Sequence, residues 1–124
     1  MNGYMNPVGA KPGVGRTYKK QSDLTKPYPV DLWVFIDESP GSVNDGAMFC
    51  PLNSTTWIDL PASYHNGAGG ISFADGHAEH RKWTDPIVKD ATTKYNQAPF
   101  TGGTYSFPSS GPDLKWLGDR SSAL

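Results

Sequence analysis

The run Ile71-Ser-Phe-Ala-Asp-Gly-His-Ala-Glu-His-Arg-Lys-Trp83 decides the fold. Ile71 and Phe73 alternate with Ser72 and Ala74, the period of a strand that buries one face. Asp75-Gly76 breaks the run, and a second strand-like segment follows from His77 to Trp83. An Asp-Gly pair between two such segments predicts a tight hairpin over 71–83, with positive φ at both turn residues.

Working outward, Asp31-Leu-Trp-Val-Phe-Ile36 reads as the clearest strand. Alternation puts Leu32, Val34 and Ile36 on one side and Trp33 and Phe35 on the other. Both sides are apolar, so the strand is expected to be central and covered on both faces. Ala47 to Cys50 reads as a short strand. Thr84-Asp-Pro-Ile predicts a helix start, with Thr84 or Asp85 as N-cap and Pro86 in the first turn, running to Thr92. The tail from Gln97 is loop-like, with a last strand expected over 100–107 and an apolar anchor at Trp116 and Leu117. Glycines 67, 69 and 70 are expected to let a loop pass close beside the sheet. No repeat and no long amphipathic helix is present. The cover for the two-faced strand must therefore come from loops, from another copy, or from a helix outside this sequence.

The chain has 124 residues, of which 25 are Gly or Pro and 36% are apolar. That is a single domain able to bury roughly two-thirds of its unfolded surface. It is too apolar for a disordered tail and too turn-rich for a helical bundle. The fold class is mainly β (α+β): a small antiparallel sheet with the 71–83 hairpin, one short helix near 84–92, and long loops. Residues 1–16 form an irregular arm, 17–93 the body and 94–124 a loop-rich tail.

Net charge is −1, which argues against a general nucleic-acid or membrane-surface binder. The charge is blocked, however. Residues 27–80 hold seven acids, all three histidines and no Lys or Arg, between basic flanks. An acidic, His-bearing middle favours a cation or a cationic partner. Cys50 stands alone, which excludes an internal disulfide and a multi-Cys metal cluster, and reads as a small buried side chain. No run is long and apolar enough to span a bilayer. Residues 1–15 lack the apolar stretch of a signal peptide, so no export address is expected within the chain.

His65-Asn-Gly-Ala-Gly-Gly-Ile-Ser-Phe-Ala-Asp75-Gly76 is a His, nine residues, then Asp-Gly. It resembles the H-X9-DG signature of bacterial prepilin-type, type II secretion pseudopilin-like proteins. Ser63-Tyr-His-Asn-Gly67 followed by Phe73-Ala-Asp-Gly-His77 is similar to that family's C-terminal hairpin. Trp33-Val-Phe-Ile-Asp-Glu38 with Ser42-Val-Asn-Asp-Gly46 is similar to the segment before it, and Met1-Asn-Gly-Tyr4 to the phrase before that. The likeness covers about residues 1–85 and does not extend to the tail. It implies a pilin-like globular head, here without the long N-terminal helix on which such heads pack, and a structural role in a type IV pilus-like or type II secretion filament. It implies a setting outside the cell or in its envelope. It also implies self-association, or a helix-bearing pilin-like partner, through the Leu32/Val34/Ile36 or Trp33/Phe35 face.

The residues nominate other chemistry beside this. His65, Asp75, His77, Glu79 and His80 are candidate ligands for a divalent transition metal, and Asp37, Glu38 and Asp45, with Ser42 and Asn44, for calcium. On a strand His77 and Glu79 share a face and His80 does not, so this is no zincin pair. A small hydrolase of esterase or glycosidase type would draw on Ser63, His65, Asp37 and Asp75. Trp33, Trp57 and Tyr64 would then stack on carbohydrate, or serve simply as core aromatics. A calcium-stabilised carbohydrate- or surface-binding module is a further alternative. No G-x-S-x-G elbow or P-loop is present.

Overall fold

The computed structural model describes residues 1–5, 15–43, 46–89, 107–109 and 111–123. A three-stranded antiparallel sheet is built from β1 (Trp33–Ile36), β3 (Ala68–Phe73) and β4 (Ala78–Lys82), in the order β1-β3-β4. A short ribbon pairs β2 (Thr56–Trp57) with β5 (Phe107–Pro108). Two short helices follow the sheet, α1 (Pro86–Lys89) and α2 (Asp113–Gly118). This is the small α+β fold expected, with the hairpin at 71–83 in place and β3 extending it back to Ala68.

The turn chemistry differs from expectation. Only Gly76 has positive φ (96°) at the 75–76 turn. The Gly76 N–H bonds Phe73 O at 3.0 Å, and the Phe73 N–H bonds His77 O at 2.9 Å. These bonds enclose a three-residue loop, Ala74 to Gly76, with glycine in the left-handed position. The two-residue type I′ pair lies instead at the far end of β3. Asn66 (φ 53°) and Gly67 (φ 81°) both lie in the left-handed region, and His65 and Ala68 exchange both backbone bonds at 3.1 Å. The His-to-Asp-Gly signature is thus one strand with a tight turn at each end. Glycines 69 and 70 belong to that strand and not to a passing loop.

β1 is an edge strand of the sheet, and its register slips between Trp33 and Phe35. Trp33 pairs with Phe73, Phe35 with Ser72, and Ile36 with Ile71. The slip puts Trp33 and Ile36 on the inner face and turns Phe35 outward, against the simple alternation expected. The inner face packs into one core with Met48, Cys50, Trp57, Leu60, Trp83, Val88, Leu114 and Leu117. Its cover therefore comes from the chain itself, from the 48–60 segment and the C-terminal segment together. The tail is not merely loop: α2 buries Leu114 and Leu117. Each buried indole also has a partner: Trp33 Nε1 donates to Ser121 Oγ at 2.8 Å, Trp57 Nε1 to Asp85 Oδ2 at 3.1 Å, and Trp83 Nε1 to Ala62 O at 3.0 Å.

The free edge of β1 is closed by the start of the chain. The Asn2 N–H bonds Val34 O at 2.8 Å. Its buried amide donates to Trp33 O (2.8 Å) and Ser121 O (3.0 Å) and accepts the Tyr4 N–H (3.0 Å). Part of the expected irregular arm is therefore core: Asn2, Gly3 and Tyr4 are buried, and residues 6–14 lie outside the described residues. The strand expected over 47–50 is absent; Met48 makes only a single parallel bridge with Asn2. Asp85 caps α1, its Oδ1 accepting the Ile87 N–H at 3.2 Å. The predicted continuation of α1 to Thr92, and most of the strand expected over 100–107, fall outside the described residues. Among the described residues no helix is long and apolar enough to cross a membrane.

Candidate functional site on the open face of the sheet

The outer face of the sheet carries no second layer of described residues. Phe35, 58% exposed, lies beside Ser72, Gly70, Ala78 and His80. With Ile36, Asp37, Ile71 and Glu79 they line a shallow depression of about 490 Å³. Its floor is low because Gly70 stands at the centre. The Asp37 carboxylate lies 3.3 Å from where a Gly70 β-carbon would be. Asp37 is fixed there by its backbone, which donates to Gly70 O (3.3 Å) and accepts the Ala62 N–H (2.7 Å).

Strand geometry splits the five-residue metal candidate set. Cross-strand pairs Ile71↔Glu79 and Gly70↔His80 put Glu79 and His80 on opposite faces. Asp75 and His77 form their own pair at the hairpin tip, Oδ1 to Nδ1 at 2.6 Å, with the His77 ring stacked on Phe73 at 4.3 Å. His65 and His80 meet at the other end, ring centres 5.3 Å apart and edge to face. Among the described residues, no three His, Cys, Asp or Glu side chains are gathered as a metal site. In the calcium candidate set, Asn44 and Asp45 lie outside the described residues, and Glu38 Oε1 accepts the Ser42 hydroxyl at 3.2 Å.

The hydrolase candidates are not assembled. The Ser63 hydroxyl donates to Lys89 O at 3.4 Å and not to His65. Asp37 sits beside Gly70 and Asp75 beyond Ala74, five positions on, so they are roughly 16 Å apart along the strand. Paired glycosidase carboxyls need about 5–10 Å. Of the aromatics offered for carbohydrate stacking, Trp33 and Trp57 are fully buried and only Tyr64 is open.

Electrostatics follow the same division. The His77 backbone N–H, then its ring, bond the Asp75 carboxylate and hold its pKa below the ordinary 3.8. Desolvation, then the charge of nearby Asp37, raises the Tyr64 phenol above its ordinary value. Burial pushes the Cys50 thiol far up and keeps it unreactive.

Asp85 and Asp113, both fully buried, stand outside every candidate set. Asp113 Oδ2 accepts the Asp85 N–H (2.7 Å), the Thr84 hydroxyl (3.0 Å) and the Thr84 N–H (2.5 Å), while Oδ1 takes Arg81 Nη2 at 3.2 Å. Asp85 Oδ2 takes the Ser109 hydroxyl at 2.5 Å beside Trp57. These carboxylates tie α2 and β5 to the start of α1. They are fully occupied and face the interior, so they hold structure and offer nothing to a ligand. No family model, curated protein or solved structure matches the chain.

Proposed function

We propose that the chain is the globular head of a pilin-like structural subunit, in a type IV pilus-like or type II secretion filament outside the cell or in its envelope. The observation that carries this reading is the outer face around Phe35, which no layer of described residues covers, on a sheet whose inner face is already packed. A sheet face with an exposed aromatic and small neighbours calls for a further layer. In a pilin-like subunit that layer is a long helix, supplied by the same polypeptide or by a neighbouring one. The sequence resemblance over residues 1–85 supports the same assignment. The partner face expected from the sequence narrows accordingly. Leu32 and Trp33 are buried, Val34 and Ile36 are half-buried, and Phe35 is the exposed one.

The test is fractionation. Surface filaments sheared from the source cells should contain this polypeptide, detected by mass spectrometry, and Phe35→Asp should deplete it from that fraction while leaving its total amount unchanged. Recovery only in the unsheared cell fraction would contradict the assignment.

A further inference from the structure

The sheet has two edges, and the chain treats them differently. That of β1 is closed by Asn2. That of β4 is open: Ala78, Glu79, His80 and Lys82 are exposed, and no described residue pairs with the strand on that side. The backbone bonds fix which groups lie there. The Trp83 N–H bonds Gly67 O at 2.9 Å, and His77 O accepts the Phe73 N–H at 2.9 Å. Antiparallel alternation then turns the backbone of 77, 79, 81 and 83 toward β3, and that of 78, 80 and 82 toward the open edge. We propose that this edge pairs with the same edge of a second copy, antiparallel about a two-fold axis at His80.

The occupant follows from the strand's own sequence, Ala78-Glu-His-Arg-Lys82. Laid antiparallel against itself about His80, it sets Glu79 opposite the partner's Arg81, and Arg81 opposite the partner's Glu79. These are the non-hydrogen-bonded positions of the seam, where facing side chains stand closest. Opposite charges there stabilise the pairing and like charges oppose it. A register shifted by two residues sets Glu79 against Glu79 or Arg81 against Arg81, so charge selects the centred register. The guanidinium has donors for a second carboxylate: Asp113 takes Nη2 at 3.2 Å, and Nε has no partner among the described residues. Lys82, on the other face, lies opposite the partner's Ala78 and meets no like charge there.

An uncovered edge is a template for a further strand. At each of positions 78, 80 and 82 the backbone would both donate and accept across the seam, which satisfies groups that the single chain leaves to water. The two sheets become one continuous sheet with β4 and its copy at the centre. The Phe35 face stays open on both copies. The pairing therefore does not rest on the filament assignment, and either can fail alone.

Sedimentation equilibrium of the purified chain over a range of concentrations tests this, together with backbone amide exchange followed by NMR. A monomer–dimer equilibrium is expected, with exchange at the Ala78, His80 and Lys82 amides slowing as the dimer forms. His80→Pro removes the outward N–H and no bond to β3, a position where an edge strand tolerates proline; it should leave a monomer. Glu79→Lys sets like charges against each other at both Glu79–Arg81 pairs and should weaken association by roughly tenfold or more. A monomer at every concentration would overturn the proposal. So would a dimer that His80→Pro leaves intact, or one in which these three amides exchange as fast as in dilute solution. Should His80→Pro fail to fold, the amide exchange of the unaltered protein decides.

Discussion

At the residue scale, two glycines separate two kinds of constraint. Gly76 has a φ of 96° and no atom within 4 Å of where a β-carbon would stand, so its requirement is purely backbone conformation. Gly69 has ordinary φ, but a β-carbon there would stand 2.6 Å from Ala62 O and 3.2 Å from Trp83 Nε1. Gly76→Val should cost about 1–2 kcal/mol. Gly69→Ala should cost more than that, since it overpacks the core and strains the Trp83–Ala62 bond. Urea denaturation of both variants checks the order, and an unaltered midpoint in Gly76→Val would refute the turn. Asp75 gives a pH test. Its folded pKa is depressed by bonds from His77, so its contribution is complete above the ordinary value of 3.8 and is lost as pH falls through the lower folded value. Asp75→Asn should flatten that acid limb of the melting profile. The two turns also mark what local sequence conveys. Asn66-Gly67 and Asp75-Gly76 are both signals for two-residue turns, but only the first adopts one. The choice depends on which cross-strand pair closes the loop, and that is decided by the register of β3 and β4.

At the element scale, β1 was legible as a strand but its facing was not. Strict alternation separates Trp33 from Ile36, whereas the slip at residue 34 unites them in the core and exposes Phe35. A bulge of this kind leaves no mark in the residues themselves. The start of α1 was legible, because Asp85 and Pro86 are local signals. The second half of that junction was not: Asp113 binds the Asp85 N–H from 28 residues away, and no spacing rule links them. Asp113→Ala removes the acceptor for Thr84 and Asp85 and leaves the partly buried Arg81 without its anion. The expected loss is about 3–5 kcal/mol, read from a denaturation curve. Asp113→Asn should fall between this and the unaltered protein, since it keeps an acceptor oxygen.

At the scale of the whole molecule, the start and end of the described chain meet on one sheet edge. The Asn2 amide joins Trp33 to Ser121, and α2 seals the inner face with Leu114 and Leu117. A chain ending after Thr93 therefore loses core and not a peripheral tail. It should lose cooperative unfolding in calorimetry; a sharp transition in that truncate would show the C-terminal segment to be dispensable. The antiparallel sheet and the candidate residues were legible from alternation and turn signals. The division into a sealed inner face and an open outer one was not, because it depends on where the distant segment 111–123 packs. That division carries the functional reading. Its most direct test is a photo-crosslinking amino acid placed at position 35 in the source cells, with position 28, also exposed, as the control. The account predicts a discrete crosslink from position 35 to a pilin-like helix or to a second copy of this chain, and none from position 28. No crosslink from position 35, or the same products from both positions, would contradict it.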